Sequence, residues 1–177
     1  MNDSRNVTDE FKNMPHDDIV ASLDNRGASF EIAIENTMRD FNMGTIVRSA
    51  NAFGVRRVHV IGRRQWNKRG AMMTDKYLEV IYHASAKEFR AAMNEPERDI
   101  VAIENNVDSV SMSDFLDKNM PVKFVLLFGQ EGPGLSRELL GISDHVVHIE
   151  QLGSTRSLNV GVAAGIAMYE CMAHEAF

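Results

Sequence analysis

The last third of the chain contains two apolar segments that are each followed by a loop of small residues. Residues 122–128 (VKFVLLF) lead into the glycine-dense sequence GQEGPGLS at 129–136. Residues 146–149 lead in the same way into QLGSTRSLN at 151–159. Strands that end in small-residue loops before a helix commonly expose backbone N–H groups to a small ligand. The pattern therefore predicts a ligand pocket at the carboxyl ends of these two strands.

Strand-like and helix-like segments alternate along the chain from Ser29 onward. Short runs rich in Val and Ile predict strands at 30–34, 57–61, 78–82, 100–103, 124–128 and 145–149. Helical patterns predict helices at 44–53, 86–93, 113–118, 136–140 and 158–172. This alternation predicts an α/β fold with a mainly parallel sheet flanked by helices. We divide the chain into a short acidic arm at 1–28, helical or partly ordered, and one domain at 29–177, which includes a long basic loop at 62–76.

Positive charge is concentrated in one segment of an acidic chain. The net charge of the chain is −6, but residues 41–74 contain no Asp or Glu and carry +7. The remaining residues therefore carry −13. Local potential steers a polyanion more than total charge does, so the segment predicts contact with RNA. The predicted RNA-binding residues are Arg56, Arg57, Arg63, Arg64, Lys68 and Arg69. The alternative is a solvated basic face that pairs with the acidic remainder of the chain.

Composition excludes several other kinds of protein. The single cysteine, Cys171, cannot form an internal disulfide, and the first residues lack a signal-peptide pattern. The longest weakly polar stretch, 160–173, is too short to span a bilayer. We therefore expect a cytoplasmic protein with no membrane contact. The six histidines are scattered along the sequence, so we expect no metal site.

Each small-residue loop has a structural explanation as well as a functional one. Gly129, Gly132 and Gly134 let the backbone turn sharply and approach a ligand closely, but they also suit an ordinary tight strand-to-helix connection. The spacing matches neither the dinucleotide fingerprint nor a P-loop. Ser157 is a plausible N-cap for the last helix. Two such loops together favour a ligand site more than either does alone.

Arg48 lies within an otherwise apolar and small-residue helix, NMGTIVRSANAFG at 42–54. An arginine in this setting either extends its head to water or holds a phosphate with its planar guanidinium. Asn42 is a candidate either for orienting groups near Arg48 or for capping the helix. Glu131, in the glycine loop, either pairs with Arg48 or is solvated.

Three segments resemble the three signature motifs of the SpoU (TrmH-like) family of RNA 2′-O-ribose methyltransferases, within the SPOUT class. They are NMGTIVRSANAFG (42–54), FGQEGPGLS (128–136) and IEQLGSTRSLNVGVAAGIAMYE (149–170). All three occur in the family's order, and the resemblance covers residues 30–170. It implies a C-terminal trefoil knot, a homodimer formed through helices beside the knot, and a domain of SpoU methyltransferase type at 29–177.

The resemblance also implies a cofactor, a substrate and site residues. The cofactor is S-adenosylmethionine, and the substrate is a ribose 2′-OH in tRNA or rRNA. The implied cofactor-binding residues are Gly129, Ile149, Leu152, Ser157 and Leu158. The implied catalytic residues are Arg48, supported by Asn42, Glu131 and Asn159.

The chain departs from the family pattern at two positions of the third motif. Glu150 stands where the family often has proline, and Gly161 where it often has serine. Two alternatives to a methyltransferase stay open. One is an RNA-binding protein of the same fold that has lost methyl transfer, and the other is a nucleotide-binding α/β domain with no role in RNA.

Overall fold

Seven parallel strands form one sheet in the computed structural model, which describes residues 3–37, 41–94 and 98–176. The strands are β1 (Glu31–Asn36), β2 (Arg57–Gly62), β3 (Glu79–His83), β4 (Arg98–Ile103), β5 (Val110–Ser111), β6 (Lys123–Phe128) and β7 (His145–His148). Their order across the sheet is β3-β2-β1-β6-β4-β7-β5, and every pair is parallel. All strands therefore end at one edge of the sheet, and the loops that follow them share that edge.

Within these described ranges, six helices flank the sheet. They are α1 (His16–Asp24), α2 (Met43–Ala52), α3 (Ala86–Ala92), α4 (Met112–Asn119), α5 (Arg137–Gly141) and α6 (Val160–Ala176). One apolar core joins α2, α4 and α6 to one face of the sheet, and a second core joins α3 and α5 to the other face. Because both faces are covered, the central strands are apolar on both sides, as the runs in β1 and β6 show.

The predicted α/β architecture is confirmed. Six predicted strands and five predicted helices are present, with ends that differ by at most four residues. The two-residue strand β5 was not predicted, because a segment this short carries no detectable alternation. The predicted knot depends on how the chain passes through its own loops, and it stays a prediction.

The N-terminal arm contains a helix and packs against the sheet domain. Phe11 and Ile19 are buried, and the Arg56 Nε atom donates to Asp24 Oδ1 at 2.7 Å. β2 ends at Gly62, and the rest of the 62–76 segment contains two short 3₁₀ turns, Lys68–Ala71 and Thr74–Lys76, but no longer helix or strand. Among the described residues, no helix is long and apolar enough to cross a bilayer.

Candidate functional site

A cavity of about 430 Å³ opens at the carboxyl edge of the sheet. It lies among the loops that follow β4, β6 and β7, which are adjacent or nearly adjacent strands. Four of the five predicted cofactor-binding residues line it, namely Gly129, Ile149, Ser157 and Leu158. The fifth, Leu152, is fully exposed and is not among the lining residues. The structure thus brings the second and third motifs together around one concave site.

A chain of side-chain hydrogen bonds joins all three motifs beside this cavity. Asn42 donates from Nδ2 to Glu131 Oε2 at 2.9 Å. Asn159 donates from Nδ2 to Asn42 Oδ1 at 3.2 Å. Glu131 and Asn159 both line the cavity. Three of the four predicted catalytic residues therefore contact one another, although 117 positions separate Asn42 from Asn159.

The two asparagines of this chain have different local roles. Asn159 Oδ1 accepts hydrogen bonds from the backbone N–H groups of Gly161 (2.9 Å) and Val162 (3.3 Å), so Asn159 caps α6. The prediction that Ser157 caps this helix is wrong, because α6 begins three residues later, at Val160. Asn42 precedes α2, yet its side chain makes no capping bond. The Asn42 amide instead bonds to the other two motifs, with Nδ2 donating to Glu131 and Oδ1 accepting from Asn159.

The glycine loop after β6 is closed on itself. Gln130 and Gly134 exchange two backbone hydrogen bonds of 3.1 Å each. A Cβ atom at Gly129 would lie 2.4 Å from the Gly134 carbonyl carbon, so only glycine fits there. Ser136 Oγ accepts from Leu139 N at 3.3 Å and thus caps α5. Gly129 is thus required by the loop's own geometry as well as lining the cavity.

The carboxylate of Glu104, which the sequence did not single out, organises the third side of the site. Glu104 Oε1 accepts from the backbone N–H groups of Asn105 (3.0 Å) and Asn106 (3.3 Å) and from Asn106 Nδ2 (2.9 Å). Glu104 Oε2 accepts from Leu135 N at 3.0 Å, which fixes the glycine loop. Asn105 Nδ2 in turn donates to the Arg156 carbonyl at 2.6 Å. The loop after β4 therefore holds both motif loops in place.

The two departures from the family pattern are accommodated. Glu150 lies outside the cavity lining, and its Oε1 accepts a hydrogen bond from the Ser113 hydroxyl at 2.7 Å, near the start of α4. This hydrogen bond lowers the pKa of Glu150 below its ordinary value. Gly161 lies beside the polar chain, since a Cβ there would be 3.1 Å from Asn159 Oδ1 and 3.3 Å from Asn42 Oδ1. Glycine therefore leaves both asparagines room to keep their contacts.

Arg48 is exposed on α2 and has no ion pair among the described residues. It shares the exposed face of this helix with Thr45 and Ala52, at spacings of three and four residues. Thr45 would touch a Cβ at Gly161 through its methyl group, so this face borders the start of α6. Arg48 therefore lies near the polar chain without being bonded to it, and Glu131 bonds to Asn42 instead.

The structure separates the predicted RNA-binding residues into two groups. Arg63, Arg64, Lys68 and Arg69 follow β2 and are exposed at the carboxyl edge, on the same side of the sheet as the cavity. Arg56 and Arg57 lie at the opposite end of β2. Arg57 pairs with Glu31 and Glu79, and Arg56 pairs with Asp24. Neighbouring carboxylates thus neutralise these two arginines far from the site.

The basic loop is fixed against the first motif. A Cβ at Gly44 of α2 would lie 2.7 Å from Ala71 N and 2.8 Å from the Gly70 Cα, so the two backbones approach as closely as glycine allows. Trp66 is 8% exposed and packs in the core, with Lys68 over its ring at 5.5 Å. Among the residues described, no cluster of His, Cys, Asp and Glu could hold a metal ion.

Known proteins resemble this chain in sequence over most of its length. The sequence model of the SpoU rRNA methylase family matches residues 29–169. The tRNA (guanosine(18)-2′-O)-methyltransferase of Escherichia coli (strain K12) is 26% identical over 155 residues, which cover 86% of this chain and 66% of that protein. This chain thus spans slightly less than two thirds of the length of that relative.

Solved structures share the fold. A TrmH/SpoU tRNA modifying enzyme of A. aeolicus superposes with a TM-score of 0.77 and 23% identity, covering 91% of this chain and 82% of the other. The SpoU methyltransferase AviRb of Streptomyces viridochromogenes, in complex with the cofactor AdoMet, gives a TM-score of 0.69 and 25% identity over 82% of this chain and 57% of the other. Because the family match includes the first two motifs and all but the last residue of the third, the chain belongs to the SpoU rRNA methylase family.

Proposed function

We propose that this protein transfers a methyl group from S-adenosylmethionine to a ribose 2′-OH in tRNA or rRNA. The hydrogen-bonded chain of Glu131, Asn42 and Asn159 carries this proposal, because it connects the three family motifs at the rim of one cavity. The relatives support it in two ways. The E. coli relative is a tRNA 2′-O-methyltransferase, and AviRb holds AdoMet in its structure.

The cavity has properties that suit this cofactor. Its volume of about 430 Å³ is within the usual range for small-molecule sites. Gly129, Ile149, Ser157 and Leu158 would hold the cofactor, and Gln151 offers a buried amide oxygen that has no partner among the described residues. When bound, S-adenosylmethionine supplies a methyl group that its positively charged sulfur has already activated. The protein then has to orient the ribose and accept a proton.

Arg48 and Glu131 are assigned these two tasks. Arg48 is exposed, and a guanidinium binds phosphate well but is a poor general base, so Arg48 is suited to bind the phosphate beside the target ribose. Glu131 uses Oε2 to accept from Asn42, and its carboxylate lines the cavity, where it accepts the proton of the 2′-OH. Asn42 and Asn159 orient Glu131, so we class them as positioning residues.

The RNA surface is proposed to comprise Arg48 and the four basic residues of the loop after β2. Arg48 and the loop adjoin because Gly44 and Gly70 are in close contact. Arg56 and Arg57 are left out of this surface, since each is paired at the other end of the sheet. Binding through phosphate contacts predicts an affinity that falls steeply with salt.

A homodimer, a knotted C-terminal segment and a cytoplasmic location complete the proposal. Val162 and Tyr169 on one face of α6 are each 52% exposed, and the ring of Phe53 lies 6.1 Å from that of Tyr169. Exposed apolar residues at a seven-residue spacing favour burial against a second copy of α6.

Residues 29–177 would form the methyltransferase domain, against which the arm at 1–28 packs. tRNA and rRNA are cytoplasmic substrates, which supports the location.

The test combines cofactor binding with transfer of a labelled methyl group to total RNA. Binding of S-adenosylhomocysteine is measured by calorimetry in the wild type and in the variants Arg48→Ala and Arg48→Lys. We expect both variants to bind the cofactor product normally and to lose methyl transfer, because an ammonium cannot replace the bidentate guanidinium. Mapping 2′-O-methyl groups in the labelled RNA then identifies the nucleotide.

Matched variants separate the proposal from its alternatives. Reversing charge at Arg63 and Arg64 should weaken RNA binding, whereas the same change at Arg57 should leave it unaltered. A wild-type protein that binds RNA but takes up no S-adenosylhomocysteine would be an RNA-binding protein without transfer. An active Arg48→Lys variant would contradict the bidentate role of Arg48.

A further inference from the structure

Gln151 lines the cavity and carries an unsatisfied polar atom. Its side-chain oxygen, Oε1, is buried and has no hydrogen-bond partner within the described part of the chain. Gln151 also lines the cavity, two residues after Ile149. Buried side-chain oxygens nearly always have a partner in folded proteins, so an orphan at a ligand cavity indicates a missing ligand group.

Neighbouring amides in the same cavity do not share this property. Asn105 Nδ2 donates to the Arg156 carbonyl, and Asn106 Nδ2 donates to Glu104, so both are bonded within the protein. Three other described side chains have a buried atom without a partner, namely Asn36, Asn51 and Trp66, but none of them lines the cavity. Gln151 thus combines two properties, an unpartnered buried oxygen and contact with the cavity.

The chemistry of a carboxamide narrows the ligand group. Its oxygen accepts a hydrogen bond and its NH₂ group donates, which matches the 6-amino group and N7 at one edge of adenine. Hypoxanthine carries a carbonyl in place of that amine and keeps N7, so this edge offers two acceptors and the Gln151 amide can pair with only one of them in either orientation. Glu150, the adjacent carboxylate, is bonded to Ser113 and does not compete for the ligand.

We propose that the Gln151 side chain recognises the adenine edge of the cofactor and makes the cavity selective for adenine over hypoxanthine. This inference depends on the proposed function, because it assumes S-adenosylmethionine as the ligand. It adds a side-chain contact from a residue that is not among the cofactor-binding residues implied by the family resemblance. Gln151 is then a determinant of cofactor specificity that acts on binding, ahead of any chemical step.

Calorimetry with two ligands tests the assignment. S-adenosylhomocysteine and S-inosylhomocysteine are titrated into the full-length wild type and into Gln151→Met, which keeps the length of the side chain but removes the amide. The wild type should prefer the adenosyl ligand by about tenfold, because the inosyl ligand loses one hydrogen bond and places two acceptors against each other. In Gln151→Met the two affinities should become equal, through weaker binding of the adenosyl ligand.

A third ligand and a control variant make the outcome specific. 5′-Methylthioadenosine has the base but no amino-acid group, so Gln151→Met should weaken its binding by the same factor. Gln65→Met changes an exposed glutamine of the basic loop and should alter neither affinity nor preference. The inference is overturned if Gln151→Met keeps the wild-type preference, or if it weakens only ligands that carry the amino-acid group. A wild type that binds none of the three ligands would instead refute the proposed function.

Discussion

Glu104 allows a sharp test of what holds the cofactor loops together. Its carboxylate accepts four hydrogen bonds, three at Oε1 and one, from Leu135 N, at Oε2. In Glu104→Gln the amide oxygen can keep the three donors, so the NH₂ group must face the Leu135 N–H. This substitution removes one hydrogen bond to a charged acceptor and places two donors against each other. Glu104→Ala removes all four bonds.

The magnitudes follow from those bonds. A hydrogen bond to a charged group contributes about 1.5–3 kcal/mol, and exposure to water lowers this. Glu104 is half-buried, so Glu104→Gln should lower the free energy of unfolding by about 1.5 kcal/mol. Glu104→Ala should lower the free energy of unfolding by about 3 kcal/mol. The loss is less than four full bonds because Asn106 is exposed and water can replace the hydrogen bonds that it made to Glu104. Both variants should also bind S-adenosylhomocysteine more weakly, because the glycine loop is freed.

Urea unfolding and calorimetry measure the two effects separately. Asp108→Asn is the matched control, since Asp108 is an exposed acid in the same loop whose side chain makes no hydrogen bond within the described ranges. It should change neither quantity. If Glu104→Gln matches the wild type in both stability and affinity, the hydrogen bond to Leu135 does not hold the glycine loop. The role given to Glu104 at the third side of the site is then refuted.

Three further predictions concern the polar chain, the basic loop and a buried histidine. Asn42→Ala should reduce methyl transfer by about tenfold while S-adenosylhomocysteine still binds, because it removes a positioning bond to Glu131 outside the cavity; equal loss of binding in calorimetry would contradict this. Gly44→Ala should lower the free energy of unfolding by about 1–3 kcal/mol and weaken RNA binding in filter assays, since its Cβ would collide with the loop backbone at Gly70. Unchanged RNA affinity would contradict the proposal that contact with α2 positions the basic loop for RNA. Burial and the neighbouring His59 lower the pKa of His83 from its ordinary 6.5, so the unfolded chain takes up a proton first as pH falls. The stability that this group contributes is present above pH 6.5 and is lost as pH falls through the depressed value, and His83→Gln should flatten the wild-type decline measured in urea at several pH values.

The sequence predicted the elements well because each strand is encoded locally. The apolar runs of β1 and β6 are continuous, and a parallel strand covered on both faces needs no more than that. The first residue of α6 was harder to predict from the sequence. Ser157 and Asn159 are both good caps, and only the backbone geometry decides that Asn159 is used. Local sequence therefore limits helix ends to a few candidates.

The contacts of the site were partly beyond the reach of the sequence. The motif resemblance identified Asn42, Glu131 and Asn159, but nothing in one sequence shows that they bond to one another. Glu104 has no motif around it, and its key partner, Leu135, lies 31 residues away. The signal that could have found it is the end of a buried strand, where a polar residue faces the loops that follow neighbouring strands.

The basic segment shows why charge counted along a chain differs from charge in space. Residues 41–74 carry seven basic residues and no acids, yet β2 divides them between the two ends of the sheet. At the amino end, Glu31 and Glu79 from adjacent strands neutralise Arg57, because parallel neighbours bring their first residues together. At the carboxyl end, Arg48, Arg64 and Arg69 have no ion pair among the described residues. An acidic protein can therefore present arginines without an ion pair beside its cavity, even though Asp75 pairs with Lys68 in the same loop.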